Sequence, residues 1–289
     1  MFDFRYHALS LVAVLVALVV GVLLGVAIGD AGLVSSAEKS LRRQIKRDVR
    51  TAQRDRDSAR DQLAAQIGYA NESYPLLVSG RLGGARVGLL FLGSSSAAMA
   101  GDVRDAIRPS GGVLAGTLAL REPVSVGDLA GSAGATRYDA LSPADDRLLA
   151  AFGTRIGEQL ITGGKLLHRE RGALFPTRAG KVGGFDRLVI VRPRSTLKGD
   201  DRRRIAAFED ALVRGATRTG AMVVGVEASG SNPTQVPWFR ARNLSTVDNV
   251  DDVAGAAALV FALAGTSGSF GTGPGAQSLL PGPESVAGP

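Results

Sequence analysis

The sequence predicts an α/β protein in three parts: an N-terminal transmembrane helix, a long coiled-coil helix, and a Rossmann-like domain built on a parallel sheet. Three observations carry this. Ala8 to Ile28 is an unbroken apolar run, long enough as a helix to cross the hydrocarbon of a bilayer. Ser36 to Tyr74 contains no proline and one glycine, and its apolar residues recur at helical spacing. From residue 86 onward, short continuous apolar runs alternate with amphipathic stretches, the signature of parallel strands covered by helices. The expected boundaries are 1–30 for the anchor, 31–75 for the stalk, 76–264 for the α/β domain and 265–289 for a Gly/Pro-rich tail.

The anchor reads ALSLVAVLVALVVGVLLGVAI, with Ser10 as its only polar side chain. As a spanning helix it pairs every backbone N–H and C=O internally. Phe4 and Tyr6 stand where interfacial aromatics belong, and Arg5 and His7 close the N-terminal side. A buried core helix is usually shorter. A cleaved leader has a shorter apolar region and a small-residue site close behind it; here the nearest small residues are Ser35, Ser36 and Ala37. The pattern reads as an uncleaved signal-anchor.

In the second part Ala37, Leu41, Ile45, Val49, Ala52, Ala59, Leu63, Ile67 and Ala70 form one narrow stripe, with Arg and Asp on the other faces. Leu41, Ile45, Val49, Leu63 and Ile67 are the candidate coiled-coil seam, and Arg56 interrupts it. A thin apolar stripe needs a covering partner. That partner is a second copy in a homodimeric stalk, or the chain's own domain. The charge count leaves the orientation open. Lys39, Arg42, Arg43, Lys46 and Arg47 follow the span closely, which favours keeping the large domain inside. Long domains, however, translocate largely regardless of charge.

About two hundred residues remain, enough for one α/β domain with a real core. Arg86–Leu92 and Val113–Leu120 read as strands flanking a helix over Ser94–Ile107. Ser142 and Pro143 resemble an N-cap and N1 pair opening a helix that runs to Ile161. Lys165 to Gly184 reads as a Gly- and Arg-rich connection. Arg187–Val191 is a strand, Asp200–Thr219 an amphipathic helix, Ala221–Val226 a buried strand, Leu244–Val247 a short strand and Val250–Leu263 the last helix. The tail from Gly265 reads as loop, with Leu279, Leu280 and Pro281 as a docking point.

The chemistry is sparse. The formal charge is +7 and the sequence pI is about 10.2, yet no nucleic-acid motif accompanies the basic residues. There is no cysteine, so neither a disulfide framework nor a thiol site exists. No P-loop, dinucleotide fingerprint or nucleophile elbow is present. Gly93 to Ser96 lies between a strand and a helix, where backbone N–H groups could hold an anion; a nucleotide-binding enzyme is the reading it would support. His168 sits in the Arg-rich connection and reads as solvated. Asp248, Asp251 and Asp252 could hold a hard cation, and capping of the last helix by Asp248 or Asn249 is the competing account. Gln235 to Arg242 places the only tryptophan beside Phe239 and two arginines. Trp238, Phe239, Arg240 and Arg242 are the candidate partner-binding residues, since Trp and Arg dominate interface hot spots; a tryptophan lid over the sheet edge is the alternative. No catalytic, cofactor-binding or metal-binding residue is assigned.

Arg5-Tyr6-His7 leading into Leu9-Ser10-Leu11-Val12-Ala13-Val14, with Ala17, Leu18, Gly21 and Gly25, resembles the start of the actinobacterial MctB family. The block Gln235 to Arg240, then Leu244 to Asp251, Gly255, Leu259, Val260, Ala262 and Leu263, is similar to that family too, as are Phe270-Gly271 and Leu279-Leu280-Pro281. The resemblance covers the whole chain. It implies copper transport or homeostasis at the cell envelope, or, through related members, septal envelope assembly with a protein partner. It implies a stalk and an α/β head outside the cytoplasmic membrane. Copper(I) prefers Cys or Met sulfur, with imidazole next, and this chain has no Cys, three Met and two His. Copper therefore enters by resemblance alone, and the residues themselves favour a non-catalytic, dimeric, membrane-anchored scaffold.

Overall fold

The computed structural model describes residues 4–30, 33–134, 136–142 and 145–282. The chain divides into two compact units, Met1–Ile67 and Gly68–Pro289. The first holds α1 (Phe4–Asp30) and most of α2 (Leu33–Val78). Arg5–Gly29 of α1 is long and apolar enough to cross a membrane, and none of it is buried. On α2 the seam residues Leu41, Ile45, Val49, Leu63 and Ile67 are 57, 52, 49, 55 and 51 % exposed.

Pro75 lies inside α2 rather than ending it, and the helix continues to Val78. A proline removes one helical hydrogen bond, and here packing compensates within the second unit. The Tyr74 hydroxyl donates to the Ala106 carbonyl, and Val78 is fully buried. Burial pushes the Tyr74 phenol above its ordinary pKa.

The second unit is a sheet between two layers of helices. Its elements in order are β1 (Arg86–Phe91), α3 (Ala97–Ile107), β2 (Val113–Ala119), α4 (Val126–Ala133), α5 (Asp146–Thr162), α6 (Lys165–Leu174), β3 (Thr177–Gly180), β4 (Arg187–Val191), α7 (Gly199–Thr217), β5 (Met222–Val226), α8 (Val236–Arg240), β6 (Ser245–Val247), α9 (Val253–Ala264) and β7 (Ser269–Phe270). The strand order is β3-β2-β1-β4-β5-β6-β7. Register is tight at the centre, where Leu89 pairs with Val189 and Val189 with Val224. Alternation along the strands feeds two cores. Leu90, Leu188 and Ile190 face α5 and α7 through Phe152, Ile156, Phe208 and Leu212. Leu89, Phe91, Val189 and Val224 face α3 and α9 through Val103, Ile107, Leu259 and Leu263. Helix α9 is apolar all round and is buried from Gly255 to Leu263, as such a helix must be in a packed domain.

Three expectations are corrected. The sheet is mixed rather than parallel, because β3 runs antiparallel to β2. The stretch 165–184 is not a bare connection: it forms α6 and then β3. Thr177, Arg178, Ala179 and Gly180 are all exposed, so the strand lacks the apolar signature of a buried one. The helix opening near Ser142 is capped instead by Asp145, whose side chain accepts from the Leu148 N–H at 2.9 Å; Pro143 lies outside the described residues.

The segment after Gly265 is also more ordered than a loop reading allows. It supplies β7, which pairs with β6, and the Gln277 N–H returns to the Ser269 carbonyl at 2.8 Å. The Asp248 carboxylate holds this return by accepting from the N–H groups of Thr272 (2.8 Å) and Gly273 (3.0 Å). Leu280 packs partly buried against the core on the α9 side, and Leu279 stays 47 % exposed.

Two close approaches shape the packing. In β1 and β5, Gly88 and Gly225 leave room for the rings of Phe185 and Phe239, which occupy the space a Cβ would need. Helices α5 and α7 touch backbone to backbone. A methyl on Gly157 would overlap the Leu212 carbonyl, and one on Gly215 would overlap the Thr154 carbonyl, a use of glycine that no other residue can copy.

Candidate functional site

In open α/β sheets, ligand and partner sites gather beyond the carboxyl ends of the strands, where the strand order reverses. Here the chain leaves β1 to one side for β2 and reappears on the other side as β4. Beyond that point lies a cleft of about 290 Å³ lined by Ser94, Ser96, Arg192, Arg194, Glu227 and Gln235, among others. Ser96 caps α3 by accepting from the Met99 N–H at 3.3 Å. Arg194 is exposed and also borders a second opening with Arg121 and Glu122.

The wall of this cleft is a network of buried charge. The Arg192 guanidinium gives Nε to Glu209 at 3.0 Å and Nη1 to the Gln235 side chain at 2.6 Å. Side-chain exposure is 7 % for Arg192 and 1 % for Glu209. Burial raises the Glu209 pKa, and Arg192 opposes the rise. The Glu227 carboxylate, also buried, accepts from the Thr234 hydroxyl at 2.5 Å and the Gln235 N–H at 2.7 Å; burial again pushes its pKa up. Glu122 has its pKa raised by burial too, against hydrogen bonding from Ser195 and the charges of Arg202 and Arg192.

Arg192 also ties this network to the tryptophan. Its guanidinium lies 4.6 Å from the centre of the Trp238 ring, and that of Arg242 lies 3.7 Å from it. Such cation–π contacts hold an aromatic ring in a fixed pose. Arg242 further donates to the Trp238 carbonyl at 2.7 Å and pairs with Asp210. Trp238 meets Phe239 edge-on at 5.3 Å.

The four residues singled out in the sequence thus divide. They lie on the short helix α8 and just after it, not on an open loop. Phe239 is fully buried beneath Gly225 and presents no surface. Trp238 is half-buried, Arg242 half-buried and Arg240 exposed. The sequence reading missed Arg192, Glu209 and Glu227. A signal was there, since Arg192 and Glu227 directly follow the apolar runs of β4 and β5, where charge at a buried strand's carboxyl end needs a partner.

The other candidates resolve locally. Asp252, not Asp248 or Asn249, caps α9, accepting from the Gly255 N–H at 2.7 Å. Asp251 accepts from Ser229 N–H at 2.7 Å, so the three acids serve three separate backbone segments. His168 is exposed and contacts Arg171; with Arg178 and Lys181 they border a cleft of about 540 Å³. Among the described residues no three His, Cys, Asp or Glu side chains group as metal ligands would.

A protein-family profile described as "Copper transport outer membrane protein, MctB" matches residues 1–281. No curated protein matches the chain.

Proposed function

Because the chain belongs to the MctB family, we propose that it is a single-pass envelope protein that dimerises through α2 and uses its head to engage a protein partner. The family is one of transport and envelope proteins rather than of enzymes, and one helix of membrane-spanning length accounts for anchoring. The observation that carries the dimer is the stripe on α2. Five large aliphatic residues recur on one face, and each remains about half exposed. An isolated helix gains little from such a stripe, whereas a second copy in register buries all of it. At the head, Trp238 with Arg240 and Arg242 offers a held aromatic ring beside cations, the composition of an interface hot spot.

Copper enters through the family's description. The chain's own donors do not fit a copper(I) site: there is no Cys, Met99 is buried within α3 and Met222 opens β5. The sheet does not fit a pore either. Its strands are two to seven residues long and helices cover both faces, the reverse of a lipid-facing barrel. We therefore place the family role in contact and assembly at the envelope, with septal assembly as one setting. The extracytoplasmic placement of the head is part of the same proposal, and it rests on the family resemblance.

The absence of cysteine makes both points testable with single substitutions. Under mild oxidation of membranes, Ile45→Cys and Leu63→Cys are expected to give disulfide-linked dimers, because a parallel pair sets each seam residue opposite itself at bonding distance. Arg50→Cys, on the far face, is expected to stay monomeric. Failure of both seam variants to cross-link would remove the dimer. For orientation, Arg218→Cys on the exposed end of α7 should react with a membrane-impermeant maleimide in intact cells; reaction only after lysis would place the head in the cytoplasm.

A further inference from the structure

From the charge distribution along α2 we infer that its membrane-proximal half is a docking face for a linear polyanion, a polymer carrying repeated phosphodiester or carboxylate groups. The stretch 39–54 contains Lys39, Arg42, Arg43, Lys46, Arg47, Arg50 and Arg54 against the single acid Asp48, a net charge of +6 where the entire chain has +7. At about 100° per residue, Leu41, Ile45, Val49 and Ala52 fall within one arc of about 80°. Lys39, Arg43, Lys46, Arg47, Arg50 and Arg54 fall within an arc of about 100° on the opposite side. Asp48 lies on the seam side, and only from Asp57 onward do acids join the cationic face.

All six cations are exposed. The ion pairs described on this helix, Arg42 with Glu38 and Arg56 with Asp57, involve none of the six. Lys39 and Arg43, Arg43 and Arg47, Lys46 and Arg50, and Arg50 and Arg54 are each four residues apart, so like charges repel along the face. An opposing row of anions relieves that repulsion. The row is long and narrow: fifteen residue steps at 1.5 Å give about 22 Å, and Arg43, Lys46, Arg47 and Arg50 border one shallow groove along it. This shape matches a chain of charges rather than a single anion. It also argues against a bilayer as the occupant, because a helix lying on lipid turns its apolar face into the membrane and keeps cations at that boundary. Here the cations point the opposite way. The inference does not depend on dimerisation, since the cationic face is free whether the seam is paired or not.

The test uses the full-length protein in zwitterionic phosphatidylcholine nanodiscs. Labelled long-chain polyphosphate, a linear polyanion, is titrated at several salt concentrations. Binding is expected, with affinity falling steeply as salt rises. The triple variant Lys46→Gln/Arg47→Gln/Arg50→Gln keeps helix-favouring side chains and is expected to bind at least tenfold more weakly with a shallower salt slope. Arg104→Gln/Arg147→Gln/Arg218→Gln, three exposed cations of the head, is expected to bind as the parent does. Circular dichroism checks that α2 persists in both. Equal binding by the parent and the stalk variant would overturn the inference. So would capture of phosphatidylglycerol vesicles, but not of polyphosphate, through these same three residues.

Discussion

Replacing Gly157 by Ala is expected to destabilise the head by about 3 kcal/mol, at the upper end of what one inserted methyl group costs in a packed core. Its Cβ would overlap the carbonyl of Leu212, and backbone cannot swing aside as a side-chain tip can. Gly153 lies one turn away, where a Cβ would stand 3.1 Å from Ala211 and 3.2 Å from Phe208, so neither helix can retreat without opening the core at Phe152 and Phe208, whose ring centres lie 6.2 Å apart. Gly172→Ala supplies the contrast. That position on α6 is exposed with open space around its Cβ, and the change should stabilise the helix by about 0.5–1 kcal/mol. Urea unfolding of the detergent-solubilised protein, followed by the fluorescence of the single tryptophan, reads both. Equal midpoints for Gly157→Ala and the parent would show that α5 and α7 are not in backbone contact.

Arg192→Met is expected to cost about 3–5 kcal/mol at pH 8, because removing one member of a buried ion pair strands the other. The stranded group is Glu209, 1 % exposed. Its folded pKa is already raised by burial above the ordinary value of 4.5, with Arg192 holding it down. Without Arg192 the folded pKa rises further. Between the unfolded value and the raised folded value, the native state binds more protons than the unfolded state, so stability increases as pH falls through that window. The deficit of Arg192→Met relative to the parent should therefore be greatest above neutrality and narrow toward pH 5. Adding Glu209→Leu should recover most of the loss, since an apolar pair of similar volume often serves as well as the ions. A deficit that does not change with pH would mean that Glu209 is not the group left unpaired. The same variant frees one face of Trp238 and the Gln235 side chain, so a change in tryptophan emission at low denaturant should accompany it.

Much of this architecture is legible in the residues alone. The span, the long helix and the strands β1, β2, β4 and β5 announce themselves because each buries or exposes a continuous apolar pattern, and pattern is what a sequence displays. Elements held by contacts from far along the chain do not. Strand β3 is four exposed residues paired to β2, and β7 is Ser269-Phe270 laid beside β6. Helix α4 is a short run, Val126–Ala133, with little in it to set it apart from a loop. Helix caps are displaced by a few residues from the positions the sequence suggests for a related reason. Several Ser, Asp and Asn side chains stand near each helix start, and which of them turns back to an N–H depends on what the others hold. Asp248 was taken up by Thr272 and Gly273, leaving Asp252 for α9. The site followed the same division. Trp238 stood out by rarity, while Arg192 and Glu227 carried only the signal of charge at a strand's end, and their grouping with Glu209 and Gln235 became visible only once the fold brought distant segments together.

The two outermost strands carry a further consequence. A free sheet margin can act as a template onto which another molecule's backbone docks. Here one margin is the four-residue β3, carrying Arg178, and the other is two residues long and closed off by the return of Gln277 onto Ser269. Neither offers the length or flatness that fibrous stacking requires. Crowded side by side in a membrane, copies of this protein are thus steered away from joining through their sheets into an endless series.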